Sequence, residues 1–218
     1  MRCLGAEDMD YSIVSHAPSR SFPEGDPFLA AAGDEAPITI HLGGKSLPDG
    51  EKTAVLVELT TECLGVHTGE SGGGEGSNML GFARYRNGDD PPSNLIELVR
   101  QPNSDEAALE AARAVFQAAG FEVVVSADQQ GRIIDRLVRP KYNDALRFLD
   151  EGLAEAADID LTCRLGLGYA DGPIERVQRG GLVHHHEVSQ RLFETYGTPG
   201  FAPARRAQVA KQRRDTDE

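Results

Sequence analysis

No stretch of the 218-residue sequence approaches the roughly 18 consecutive apolar residues that a membrane-crossing helix needs. Its first residues, MRCLGAEDMDYS, lack the basic-then-apolar order of a secretory leader. Cysteine is scarce: Cys3, Cys63 and Cys163 are far apart, odd in number and form no CxxC pair. That argues for reduced thiols in a cytoplasm and against a disulfide framework or a zinc site. Basic charge is in deficit as well, with 22 Lys and Arg against 35 Asp and Glu and a net charge of −13. Nucleic acid and anionic membrane both demand a basic surface, so neither is expected as a main partner. A small anionic ligand stays compatible with this balance, because a local cluster of donors can oppose the global sign. The basic residues near the end (Arg205, Arg206, Lys211, Arg213, Arg214) have no interleaved aromatics and are expected as a solvated, charged tail over 208–218.

The usual catalytic signatures are missing too. No GxSxG or ordered Ser/His/Asp arrangement is present. Gly44-Lys45-Ser46 ends like a phosphate-binding loop, but Thr39 stands where its first glycine belongs and Pro48-Asp49-Gly50 makes a turn where a helix must start. GLGYADG (166–172) has the wrong spacing for a dinucleotide fingerprint and reads as a helix–helix connector. The glycine-rich SGGGEGS (71–77) reads as a flexible linker. His184-His185-His186 cannot all reach one ion, since consecutive helical residues point about 100° apart; they are expected at the surface with one member partly buried, and no metal site is expected.

What is present is the balance of a soluble globular protein, 39% hydrophobic and 26% charged. Residues 1–36 show little periodicity and are expected as an irregular arm with a short helix near Phe28–Ala32. PITIHL alternates, and TAVLVEL is a continuous apolar run suited to a buried parallel strand. MLGFARY (79–85) and LIELV (95–99) are further strands. Ser104 and Gly120 bracket a helix as N-cap and stop, and FEVVV (121–125) returns to strand. Beyond residue 130 only helical patterns remain. Ile133, Ile134, Leu137, Val138, Ala145, Leu146 and Leu149 make an apolar stripe kinked by Pro140, and Asp158 caps a short helix reaching Leu165. The expected organisation is an α/β domain over 37–127 and a helical domain over 128–207.

The details of the helical half go further. GRIIDRLVRPKYNDALRFLDEGLAEAADIDLTCRLGLGYADGPIERVQRGGL, followed by LFETYGTPGFAP, carries an internal proline, Asn-Asp-Ala, Glu-Gly, Asp-Ile-Asp, Leu-Gly-Leu-Gly and Gly-Pro in that order. This ordered set resembles the C-terminal domain of the 3-hydroxyacyl-CoA dehydrogenase family. LIELVRQPNSDEAALEAARAVFQAAGFEVVV resembles the end of that family's NAD-binding domain. The resemblance covers residues 79–203 and extends more weakly to 53; it is also similar to the C-terminal module of long, phenylacetate-pathway-type members. It implies an α/β plus all-α fold, in which a degenerate, truncated Rossmann-like parallel sheet precedes a helical domain. It further implies fatty acid metabolism, an acyl-CoA ligand, and a helical domain that forms a homodimer and one wall of the acyl-CoA cleft.

In the family a histidine takes the hydroxyl proton while hydride leaves for NAD, a glutamate orients that histidine, and a serine and an asparagine hold the substrate. Carried over, Glu97 falls on the glutamate. The histidine's place falls on Ala83, or on Tyr85 under the other alignment, and neither is an imidazole. His67, in the only nearby Gly-x-His, is a candidate replacement base. Thr60 and Thr61 fall near the serine, and Asp135 falls on the asparagine, where an acceptor replaces a donor unless Arg136 or Arg139 pairs with it. No GxGxxG opens the chain, so no NAD site of its own is expected. The resemblance therefore implies a dimerising, acyl-CoA-binding protein without independent dehydrogenase activity. Two alternatives are an active oxidoreductase component completed by a partner that supplies the NAD-binding half, and a purely structural interaction module. Glu97 as a strand ion pair and Asp135 as a helix-start carboxylate are the plain structural readings.

Overall fold

A computed structural model describes residues 10–217; Cys3 and most of the opening stretch MRCLGAEDMDYS lie outside the described residues. The chain forms two compact units, one running up to Arg86 together with Pro92–Arg132, the other combining Asn87–Pro91 with the chain from Ile133 onward. Among the described residues no helix is long and apolar enough to cross a membrane.

The first unit is built on one six-stranded, mostly parallel sheet. Its strands β1 (Tyr11–Ser15), β2 (Ile38–Leu42), β3 (Ala54–Glu58), β4 (Met79–Arg84), β5 (Leu95–Arg100) and β6 (Glu122–Ala127) lie side by side in chain order. β1 to β4 pair in parallel, β5 returns antiparallel to β4, and β6 runs parallel to β5. The carboxyl ends of β1–β4 therefore lie at one end of the sheet and those of β5 and β6 at the other. The turn-rich link 85–94 holds no helix, which suits a return and not a parallel crossover. All of β3 is buried, as its unbroken apolar run requires of a strand covered on both faces. A four-residue helix α1 (Pro27–Ala30) follows β1, and another, α2 (Gly65–Thr68), lies between β3 and β4. The full-length crossover α3 (Glu106–Ala118) buries Ala108, Leu109, Ala112, Val115 and Phe116 in a core shared with Leu56, Phe82, Leu98 and the aromatics Tyr11, Phe22 and Phe28. Alternate strand residues Val55, Val57 and Val99 join Leu59, Leu64 and Met79 in a separate cluster, following the two-residue period of the pleat.

The second unit is helical. It comprises α4 (Ile134–Asp150), α5 (Ala156–Leu167), α6 (Pro173–Arg179), α7 (Leu182–Tyr196), a 3₁₀ turn at Pro199–Phe201 and α8 (Arg205–Asp217). Tyr142, Leu146, Ile159, Ile174, Val177 and Ala204 form its main core. Buried Asp160 on α5 accepts from the N–H groups of Ile174 (2.7 Å) and Glu175 (3.0 Å), so one carboxylate caps the start of α6 from outside.

Several details differ from the pattern-based expectation. The stretch 1–36 is not irregular throughout, because Tyr11 packs flat on Phe28 at 4.5 Å and donates its hydroxyl to the Phe28 carbonyl at 2.6 Å, anchoring β1 and α1. The division between units falls after Arg132, not at 127/128, and 87–91 joins the helices because Asn87 donates to the Arg176 carbonyl and Asp90 pairs with Arg179. Asp105, not Ser104, caps α3; the Ser104 hydroxyl accepts from the Gln101 N–H instead. Glu155 occupies the N-cap position of α5, with Asp158 in its first turn. The helix α4 continues through Pro140, and its expected apolar stripe is only partly buried: Leu137 is 69% exposed while Arg139 and Asn143 are inside. The charged tail is part of α8, whose Arg206 and Arg214 pair with Asp150 (2.6 Å) and Glu187 (2.7 Å).

Leu56 is fully buried at the centre of the sheet. Leu56→Ala is expected to lower stability by about 2–5 kcal/mol, measured by urea unfolding of the first unit's signal.

Candidate functional site

Glu97 lies in β5 with 3% of its surface exposed, between Ala83 of β4 and Val124 of β6 in the strand register. The residue directly opposite the carboxylate's backbone position is thus Ala83, not Tyr85. A charge comes from elsewhere: Arg132 Nε stands 3.8 Å from Glu97 Oε2, both side chains almost wholly buried. Arg132 reaches this point through two successive left-handed residues, Gly131 (φ 74°) and Arg132 itself (φ 48°). Glycine adopts that region freely, whereas for arginine it costs about 1–2 kcal/mol. The same guanidinium donates from Nη2 to the Thr60 carbonyl at 2.8 Å.

Thr60 leads to the other candidates. Its hydroxyl donates to Glu62 Oε2 at 2.6 Å and its N–H to Glu62 Oε1 at 3.2 Å. Glu62 Oε1 lies 3.8 Å from His67 Nε2. Burial pushes the Glu62 carboxyl up, but His67, Thr60 and backbone N–H groups outweigh it and bring it down to about 2. His67 is buried on α2, and its Nδ1 accepts from the Ser46 N–H at 3.4 Å, which leaves the proton on Nε2 facing Glu62. Thr61 is half-buried beside them. Thr60 and His67 thus belong to a small network around Glu62, a residue the sequence reading did not single out.

Asp135 sits in the second unit, at the start of a buried polar chain. Its Oδ1 accepts from Arg139 Nε (2.8 Å) and Nη2 (2.7 Å). Arg139 Nη1 is 3.4 Å from His185 Nδ1, and His185 Nε2 is 2.8 Å from Asn143 Oδ1. Asn143 Oδ1 also accepts from the Ala204 N–H, and its Nδ2 donates to the Gly200 carbonyl. Since Arg139 can only donate and the Asn143 oxygen can only accept, the His185 proton belongs on Nε2. Burial first, then the Arg139 charge, pushes His185 down to about 2. His185 is therefore buried outright at 1% exposure, while His184 and His186 are half-buried. Among the described residues no group of three or more His, Cys, Asp or Glu could hold a metal ion. The clue for this chain was legible in principle: Asp135, Arg139, Asn143 and Arg147 recur every fourth residue, a polar stripe along one face of α4.

The turn after β1 does not fit a dinucleotide. It reads His16-Ala17-Pro18, with His16 stacked on His41 at 5.5 Å, and the next helix begins only at Pro27 and spans four residues. Neither a glycine turn nor the N-terminus of a crossover helix stands at this strand to receive a pyrophosphate.

Comparison with known proteins gives a consistent set of relatives. The family model described as 3-hydroxyacyl-CoA dehydrogenase, C-terminal domain, matches residues 131–216. A 3-hydroxybutyryl-CoA dehydrogenase of Bradyrhizobium diazoefficiens is 31% identical over 113 residues, 52% of this chain and 39% of that protein. Human mitochondrial hydroxyacyl-coenzyme A dehydrogenase is 33% identical over 92 residues, 42% of this chain and 29% of that protein. The chain thus matches about two fifths or less of the length of these curated relatives. Among solved structures, M. tuberculosis FadB2 superposes with a TM-score of 0.69 at 19% identity, over 82% of this chain and 66% of that one. (S)-3-hydroxybutyryl-CoA dehydrogenase PaaH1 of Ralstonia eutropha gives 0.67 at 20% identity, over 84% and 66%. At that identity the superpositions establish the fold alone.

The buried neutral His185 makes the helical unit sensitive to acid. In the unfolded chain this imidazole takes up a proton below about pH 6.5, whereas in the fold it resists doing so until about 2. The unfolded state binds the extra proton in that window, so stability present above pH 6.5 is lost as pH falls. Thermal unfolding is expected at a lower midpoint near pH 5.5 than near pH 7.5, with a flatter dependence in His185→Gln; an unchanged slope in that variant contradicts the assignment.

Proposed function

Because the chain belongs to the 3-hydroxyacyl-CoA dehydrogenase family through the match over residues 131–216, we propose that it acts as a dimerising, acyl-CoA-binding member without dehydrogenase activity of its own. The observation that carries this reading is the Glu97 pair. Where a histidine and a carboxylate act together as general base, the carboxylate faces the imidazole, orients it and favours its protonated form. Glu97 stands across from the methyl group of Ala83, and the charge facing it is Arg132. A guanidinium stays protonated at any working pH and cannot accept a proton from a substrate hydroxyl. His67 is no ready substitute, since its Nδ1 takes a backbone N–H and its Nε2 faces Glu62. The turn after β1 adds a second argument, because it offers a nicotinamide dinucleotide no seat.

Self-association is supported by the surface of the helical unit. Leu161 (46% exposed) and Leu165 (80% exposed) stand one turn apart on α5, with Phe148 and Leu153 also exposed on neighbouring stretches of the chain. Apolar side chains left open along one helix face are what an isologous contact between two copies would cover.

Purified chain given acetoacetyl-CoA and NADH is expected to show no turnover, while sedimentation shows a dimer that Leu165→Asp converts to a folded monomer. Reduction of acetoacetyl-CoA by the chain alone at ordinary enzymatic rates would sink the reading.

A further inference from the structure

A cavity of about 690 Å³ opens at the carboxyl ends of β5 and β6, wholly within the first unit, and neither Glu97 nor Arg132 lines it. The carboxyl ends of parallel strands are where open α/β sheets receive ligands. Because β5 and β6 run opposite to β1–β4, this is the other end of the sheet from the turn after β1. Two observations in its wall point to an occupant. The first is Gln101, 2% exposed, whose Oε1 accepts from the Thr68 hydroxyl at 3.0 Å. That bond fixes the amide and leaves Nε2 without a partner among the described residues; the Ser126 hydroxyl in the same wall also lacks one. An unsatisfied buried donor costs about 1–3 kcal/mol. The second is the glycine-rich loop. The N–H groups of Ser71, Gly72 and Gly73 converge on Glu75 Oε1 at 2.6, 2.6 and 3.1 Å, forming an anion-binding nest. These N–H groups hold the Glu75 carboxyl at about 2, so it fills the nest as an anion. Glu75 remains partly exposed, free to move to water if a better anion arrives.

We propose that this cavity binds a small carboxylic acid carrying a second oxygen acceptor. Its carboxylate replaces that of Glu75 in the nest, and its hydroxyl or carbonyl oxygen takes the Gln101 amide and the Ser126 hydroxyl. The charge of the wall selects a singly charged head. Arg100 is the one cation among the lining residues, while Glu70 and Asp128 are anionic. Asp128 is held by the N–H groups of Leu64 and Gly65 at 2.7 and 2.8 Å, so it stays in place, and a dianionic phosphate would meet both carboxylates.

The test is an amide-resolved NMR titration of the full chain with acetate, lactate and inorganic phosphate, in the parent and in Glu75→Ala. Removing the internal carboxylate is expected to tighten acetate binding by about tenfold, with shifts centred on residues 71–73. Lactate should bind Glu75→Ala more tightly than acetate does, and Gln101→Leu placed in that background should erase the preference. Should Gln101→Leu not fold, a lactate-induced shift of the Gln101 side-chain amide serves instead, and its absence overturns the second contact. Acetate binding no tighter in Glu75→Ala than in the parent overturns the proposal, as does binding of phosphate alone.

Discussion

Burying the Glu97 carboxylate within the sheet calls for charge or hydrogen bonds to answer it, and Arg132 stands 3.8 Å away. Removing one partner of a buried ion pair typically costs about 3–5 kcal/mol, far more than a surface pair is worth. The requirement reaches beyond the pair. Arg132 lies at the end of a segment that leaves β6 and runs beside the loop after β3: Asp128 holds the N–H groups of Leu64 and Gly65, the Cys63 thiol lies at Gln130 Oε1, and Arg132 holds the Thr60 carbonyl. One stretch of five residues thus faces Glu97 with a cation, starts α2 and fixes the loop that carries Thr60, Glu62 and His67. The left-handed backbone at Gly131 and Arg132 turns the chain sharply enough to achieve this.

The two units meet the burial of polar groups in similar ways. In the sheet unit a carboxylate takes a guanidinium; in the helical unit Asp135, Arg139, His185 and Asn143 hand hydrogen bonds along α4 and α7 until they reach the backbone at Gly200 and Ala204. Each buried group in that chain has a partner, which is the condition for a polar network to stabilise a core instead of weakening it. On the proposed reading, positions that the family uses for chemistry are occupied here by internal pairings: Arg132 answers Glu97, and Arg139 answers Asp135.

Much of the fold was legible from local pattern. TAVLVEL announced itself as a buried strand and LIELV as a strand, and the acidic start and glycine stop of α3 marked its ends to within a residue. β1 was hidden because a short YSIVS amid Ser, Pro and acidic residues has little periodicity; its parallel pairing with β2 and the stacking of Tyr11 on Phe28 hold it in the sheet. α8 was hidden because its sequence is strongly polar, so its helix depends on Ala207 and on ion pairs to Asp150 and Glu187, which a one-dimensional pattern does not reveal. Glu97 and Asp135 were found through family resemblance, but their cations were not equally visible. Arg139 follows Asp135 by one helical turn and could be named. Arg132 reaches Glu97 only through a left-handed turn, and nothing in Gly131-Arg132 declares that conformation. The role of Glu75 was missed because a run of glycines reads as slack chain, whereas here its N–H groups converge on one oxygen.

The pairing of Glu97 with Arg132 is tested most directly by a double-mutant cycle on stability near pH 7 with Glu97→Gln, Arg132→Met and the double variant. Each single change should destabilise the first unit by about 3 kcal/mol or more. The double change should cost less than their sum by more than about 1 kcal/mol, the signature of two residues that depend on each other. Strict additivity, or an Arg132→Met variant as stable as the parent, would contradict the pairing.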